Sequence, residues 1–231
     1  ITDVLHLAWY GVLSKDRNSQ KQKINLKMTK NLLDSISNQK IRRIISLGSQ
    51  AEYGSRKIVL HENLKTKPLT EYGKIKLKNF KLMNKVCKKK KISFVWLRLF
   101  TGYGPGNNQK WLIPDTINKV NNKKDAKFTA GDQIYNFIYI SDIISAIMKS
   151  LECKKLSGIF NVANSKSYKI KKVINLIYSK LKVKKKPSFG ILKYRNNQAM
   201  IYRPSILKIK KKLNWSPKIS ISKGLDKTIY T

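Results

Sequence analysis

Apolar residues along this chain follow two rhythms that take turns. Short, nearly continuous apolar runs lie at about 3–8, 41–47, 92–99 and 158–162. Between them apolar residues recur at three- and four-residue spacing, as at Ile24, Met28, Leu32, Leu33 and Ile36. The first rhythm reads as strands with both faces buried, the second as one stripe of a helix. The pattern predicts strands at those four places. It also predicts a helix over about 18–38 and another over about 70–90, opening after Pro68. Strands alternating with helices argue for a parallel sheet with crossover helices, which places ligands at the carboxyl ends of the strands.

Beyond residue 100 the pattern is less regular. Gly102-Tyr-Gly-Pro-Gly106 is a turn-rich loop. Helices are expected over about 111–122, 141–152, 168–182 and 205–213, a short strand near 137–140, and a last helix from near Ser222. Asp142 is expected to cap or precede the helix it adjoins. The fold class is α/β, a parallel sheet with a smaller α/β lobe above it.

The 231 residues, 41% hydrophobic, suffice for one large domain or two small ones. Cys87 and Cys153 match no metal or redox spacing and read as reduced thiols of a cytoplasmic protein, with no metal expected. The longest apolar stretch, Phe137 to Met148, is interrupted by Ser141-Asp142, so no membrane partner is expected. The net charge of +38 has the look of a nucleic-acid binder. The lysines, however, are scattered over every expected helix, and only seven of the 50 basic residues are arginine. Lys, Ile and Asn share AT-rich codons. A solvated cationic face with no nucleic-acid partner is the reading adopted, and its field would help to gather an anionic nucleotide. The chain opens at Ile1 and enters a strand at once, which reads as a fold joined part-way, with an N-terminal segment missing.

The chemistry concentrates in Tyr72-Gly-Lys-Ile-Lys76, which follows the strand end Ser46-Leu-Gly-Ser49. Positions four apart share a helix face. A free phenol has a pKa of about 10, too high for a base at neutral pH, and a nearby ammonium pulls it down. Ser49 would hold the reacting oxygen in line. Ser49, Tyr72 and Lys76 are therefore the catalytic candidates. Trp111, after the glycine-rich loop, is a candidate contact to a base or sugar. His6 and His61 read as packing and surface residues.

These residues, with others in order, resemble the extended short-chain dehydrogenase/reductases, the NAD-dependent epimerase/dehydratase family that modifies nucleotide sugars. The resemblance rests on His6-Leu-Ala8, Asn25, the Ser49/Tyr72/Lys76 set with Tyr53-Gly54, and Arg98-Leu-Phe-Thr-Gly-Tyr-Gly-Pro105. It continues through Gly131 to Asp142, Phe160-Asn-Val162 and Leu213-Asn-Trp215-Ser-Pro217. It implies a Rossmann-type doubly wound sheet, incomplete at the N-terminus. Residues 1–100 would form a partial NAD(P)-binding domain, and 101–231 mainly a substrate lobe with some segments returning to the sheet. It implies NAD or NADP as cofactor, contacted by Leu7, Ala8, Trp9, Asn25, Tyr72, Lys76 and Phe100. It implies a nucleotide-sugar substrate contacted by Ser49, Thr101, Trp111, Asn136 and Arg203, and a homodimer. The family's phosphate-binding G-x-x-G-x-x-G does not occur in the chain, so this segment would hold the cofactor poorly by itself.

Departures from the family pattern narrow the reaction. Gln50-Ala51 stand where the 4,6-dehydratases carry an Asp-Glu pair, and Ala51 where the GDP-fucose synthase branch carries a cysteine. What remains suits oxidation or reduction of a carbinol, as in 4-epimerisation or 4-keto reduction. A dehydratase or decarboxylase is the alternative within the enzymes. A nucleic-acid-binding protein or a non-catalytic dinucleotide sensor is the alternative outside them.

Overall fold

The computed structural model describes residues 2–230. In chain order the elements are β1 (Asp3–His6), α1 (Ile24–Ser35), β2 (Arg43–Ser49), α2 (Glu71–Lys89), β3 (Ser93–Leu99) and β4 (Thr101–Tyr103). There follow α3 (Leu112–Asn121), β5 (Ile134–Tyr135), β6 (Phe137–Tyr139), α4 (Ile140–Glu152) and β7 (Gly158–Val162). The chain ends with β8 (Tyr168–Lys169), α5 (Ile170–Lys180), α6 (Leu207–Leu213) and α7 (Ile221–Ile229).

The main sheet has the order β1-β2-β3-β7, and every pairing in it is parallel. Side chains along a strand alternate between faces. On β2 and β3, Ile44, Phe94 and Trp96 turn one way and pack with Leu33, Met83 and Cys87 of α1 and α2. Ile45, Val95 and Leu97 turn the other way, against Ile143 and Ile147 of α4 and Ile209 and Leu213 of α6. Both faces are covered, which is why these strands read as continuous apolar runs. The α/β expectation holds, with helices on both sides of a parallel sheet.

A second apolar cluster joins α3, α5 and α7 through Ile113, Ile117, Val173, Ile177 and Leu225, and reaches the β4-β6 pair at Tyr103 and Phe137. Among the described residues no helix is long and apolar enough to cross a membrane.

Two sequence expectations are corrected, for the first long helix and for Asp142. The helix expected over 18–38 begins only at Ile24, after a 3-10 turn at Gln20–Lys23 capped by Ser19. Its apolar stripe is also offset, because Ile24 and Met28 are 45% and 39% exposed while Asn25 and Thr29 are buried. The cause is Asn25, whose amide accepts from Tyr10 N–H at 2.8 Å and donates to Tyr10 C=O at 3.0 Å, fixing the rotation of α1. Among the described residues the first strand pairs only with β2, and Leu5 on it is 37% exposed. Asp142 lies inside the first turn of α4 rather than capping it. Its carboxylate accepts from the N–H groups of Lys218 and Ile219, both at 3.0 Å, tying the Trp215-Ser-Pro217 segment to the second lobe.

Candidate active site

Ser49 ends β2 and caps the 3-10 turn Gln50–Glu52. Its hydroxyl accepts from Ala51 N–H at 3.2 Å, and Glu52 returns a carboxylate oxygen to Ser49 N–H at 2.7 Å. This reciprocal cap fixes the direction of the serine. Glu52 is itself held by Trp96 Nε1 at 3.0 Å and Arg98 Nε at 2.8 Å, in full burial. A Cβ on Gly48 would stand 2.2 Å from the Trp96 indole nitrogen and 2.6 Å from Glu52, so only glycine lets these groups close beneath the serine.

Thr70 caps α2 by accepting from Gly73 N–H at 3.2 Å, which fixes where the helix begins and so where Tyr72 points. Tyr72 is 8% exposed. Burial raises the phenol above its ordinary value, and Glu52 adds to this; the Arg17 charge and the nearby Ser49 hydroxyl pull it back. Lys76, one turn along, is equally buried. Its Nζ donates to Leu47 C=O at 2.9 Å and sits 3.5 Å from the Trp9 ring centroid but 5.9 Å from that of Tyr72. Burial lowers its pKa to about 7, with Glu52 opposing the shift.

Arg17 is the residue that sequence reasoning missed. Its guanidinium lies 4.8 Å over the Tyr72 ring and 5.6 Å from the Trp111 ring, and its carbonyl accepts from Tyr72 N–H at 2.8 Å. It sits in a polar loop with no periodic pattern, so nothing in the sequence distinguishes it from the other basic residues.

A cavity of about 490 Å³ opens beside this group, between the sheet and the second lobe. Arg17, Gln50, Thr101, Trp111 and Tyr202 form part of its wall, as do Ala51 and Thr70, whereas Ser49, Tyr72 and Lys76 do not line it. Thr101 Oγ1 accepts from the Gln50 amide at 3.1 Å. Asn136 is fully buried and spends its amide on Asn164 C=O, Lys166 C=O and Asn164 N–H, bracing the loop after β7. Arg203 is exposed and away from the cavity wall. Phe100 packs on Tyr53 and Tyr202 beneath the cavity floor. Leu7 and Ala8 are exposed beyond β1, and Trp9 donates to Gln22 at 3.1 Å while its ring meets Tyr72 edge-on at 5.8 Å. His6 Nδ1 lies 3.1 Å from the Ser46 hydroxyl, and burial lowers its pKa.

The donor set at the carboxyl ends of β1 and β2 was tested for its fit to a dinucleotide. The Tyr72 phenol, the Lys76 amine and the Ser49 hydroxyl lie on adjoining elements there, groups of the kind that can hydrogen-bond a nicotinamide ribose and a carbinol. The chain has no glycine-rich loop for the pyrophosphate. The fit is therefore to the nicotinamide end.

A sequence model described as the NAD dependent epimerase/dehydratase family matches residues 1–163. Among curated relatives, CDP-abequose synthase of Salmonella muenchen is 30% identical over 140 residues, covering 60% of this chain and 47% of the relative. The dTDP-4-dehydro-6-deoxyglucose reductase of Escherichia coli is 28% identical over 181 residues, covering 77% of this chain and 57% of the relative. The chain thus spans about half the length of these relatives. A solved structure superposes with a TM-score of 0.92 at 26% identity, covering 100% of this chain and 74% of the other. It is a mutant UDP-glucuronic acid 4-epimerase from Bacillus cereus in complex with UDP-4-deoxy-4-fluoro-glucuronic acid and NAD. The family match covers well over half of the chain and the fold agrees with it: the chain belongs to the NAD dependent epimerase/dehydratase family.

Proposed function

We propose that the protein acts on the C4 carbinol of a nucleotide sugar, as a 4-epimerase or a 4-ketoreductase, with Tyr72 as the acid/base. The observation that carries this reading is the placement of Tyr72 and Lys76, one helical turn apart and both buried, against the turn that Ser49 caps, beside a cavity of about 490 Å³ lined by Gln50, Ala51 and Thr70. Ser49 orients the reacting oxygen. Tyr72 takes its proton during oxidation and returns one during reduction. Lys76, whose Nζ donates to Leu47 C=O, would meet a ribose hydroxyl of the cofactor. The cofactor, NAD or NADP, supplies the hydride acceptor and donor when bound.

Relatives named for a reductase and a UDP-glucuronate 4-epimerase support the same class of chemistry. Gln50 faces the cavity with a neutral amide bonded to Thr101, so the acid/base pair that elimination requires is not present in that turn. A homodimer through α2 and a cytoplasmic location belong to the same proposal, and sedimentation analysis tests the first.

The test is turnover of a panel of UDP-, dTDP-, CDP- and GDP-sugars in the presence of NAD or NADP, followed by product analysis. Tyr72→Phe should lower the rate by about 10²–10⁴-fold, the usual worth of a positioned acid/base. A phenylalanine variant with the parent's rate would sink the assignment.

A further inference from the structure

We propose that Arg17, acting through Tyr72, is the positioning residue that makes the phenol usable as a base: its guanidinium stands over the ring and holds the phenolate, the task the family pattern gives to Lys76. This deepens the proposed function and rests on it.

Several independent observations converge on this role. The guanidinium lies 4.8 Å from the Tyr72 ring centroid, nearer than Lys76 Nζ at 5.9 Å. Trp111 packs at 5.6 Å, so the cation is placed against two aromatic rings. The Arg17 carbonyl accepts from Tyr72 N–H at 2.8 Å, which makes the loop and the helix start one unit. Among the described residues Arg17 makes no salt bridge that would compete for its charge. Arg17 lines the cavity and Tyr72 does not, so the cation stands between ring and open space on the side where it packs.

The two cations also differ in kind. A guanidinium keeps its proton throughout the working range and is weakly hydrated, which suits it to a half-buried place over a ring. Lys76, with a pKa near 7 and its Nζ on Trp9 and Leu47 C=O, is an intermittent charge directed elsewhere. The phenol is faced by Ser49 from the end of β2, Glu52 from the 3-10 turn, Lys76 from α2, Tyr202 from the segment before α6, and Arg17 from the loop after β1. Glu52 and burial oppose ionisation, and Arg17 is the full charge set against them.

The experiment is a pH titration of the protein labelled with ring-¹³Cζ tyrosine, the Tyr72 resonance being assigned by its loss in Tyr72→Phe. Arg17→Gln should raise the midpoint by about one unit or more, as expected when an opposite charge within ~4–6 Å is removed. Arg17→Lys should retain most of the parent value, and Lys76→Gln should move it less than Arg17→Gln does. In turnover, the limb that rises with pH should shift upward in Arg17→Gln by a similar amount. An unchanged midpoint in Arg17→Gln, or a larger shift in Lys76→Gln, overturns the proposal. Should circular dichroism show Arg17→Gln unfolded, Arg17→Met replaces it under the same criteria. The resonance reports the local field whether or not a sugar is turned over. A shifted midpoint with an active Tyr72→Phe would therefore indict the catalytic reading and not the electrostatic one.

Discussion

Glu52 has no place in the proposed proton transfer, yet the transfer depends on it. Its carboxylate accepts from Ser49 N–H, Trp96 Nε1 and Arg98 Nε, and both it and Arg98 are withdrawn from solvent. Removing one partner of such a pair strands the other charge in the interior, at a cost of about 3–5 kcal/mol. Glu52→Gln should destabilise the protein by about that amount in urea denaturation and release the Ser49 turn. A loss under about 1 kcal/mol would mean that Arg98 finds another acceptor. Lys76 makes a second prediction at the same site. Folded, it holds its proton up to a pKa of about 7, against an ordinary 10.5. Between those values the unfolded chain binds more protons, so stability should rise with pH across that window. Lys76→Met should flatten that rise, as read from urea midpoints at a series of pH values. A parent whose stability falls from pH 7 to 10, with no difference from the variant, would contradict the burial argument.

Helix α2 carries the proposed acid/base, and its placement turns on one small residue. A Cβ on Gly73 would stand 2.6 Å from Ala51 C=O and 3.0 Å from Pro68. The helix start is thus pressed onto the turn that holds Ser49. Gly73→Ala gains up to about 1 kcal/mol of helix propensity, but overpacking against backbone commonly costs about 1–3 kcal/mol. The expected outcome is a lower melting temperature together with loss of turnover, and a more stable, active variant would show that the contact is slack. This element was legible in the sequence, because Pro68, the i,i+4 pair Tyr72/Lys76 and the strand before them each carry a local signal, whereas the Thr70 cap shows only in the fold. Helix α1 was only half legible. Its apolar period pointed to Ile24 and Met28, while Asn25 and Thr29 take the buried face through hydrogen bonds that no hydrophobic pattern records. Asn136 and Asp142 follow the same rule, since both are spent on distant backbone groups that the chain brings near only when folded.

Taken as a whole, the molecule carries 50 basic residues against 12 acidic ones, and sequence alone could not say whether that charge serves the cavity. The fold supplies the answer in part. Arg17, Lys110, Lys119, Lys127, Lys193 and Arg195 line the cavity against a single acid, Asp115, which pairs with Lys119 at 2.7 Å. Low-dielectric walls bearing one sign of charge concentrate the field in a cleft and draw in ions of the other sign. A nucleoside diphosphate should therefore bind with an affinity that depends strongly on salt. The Debye length falls from roughly 10 Å at about 0.1 M to roughly 3 Å at about 1 M, which screens the outer lysines from the ligand. Titration calorimetry with UDP should show Kd rising by about tenfold or more over that range. Uridine, lacking the diphosphate, should bind weakly and change little. Equal responses from the two ligands would mean that the lysines serve only the solvated surface, leaving selection of the ligand to contacts inside the cavity.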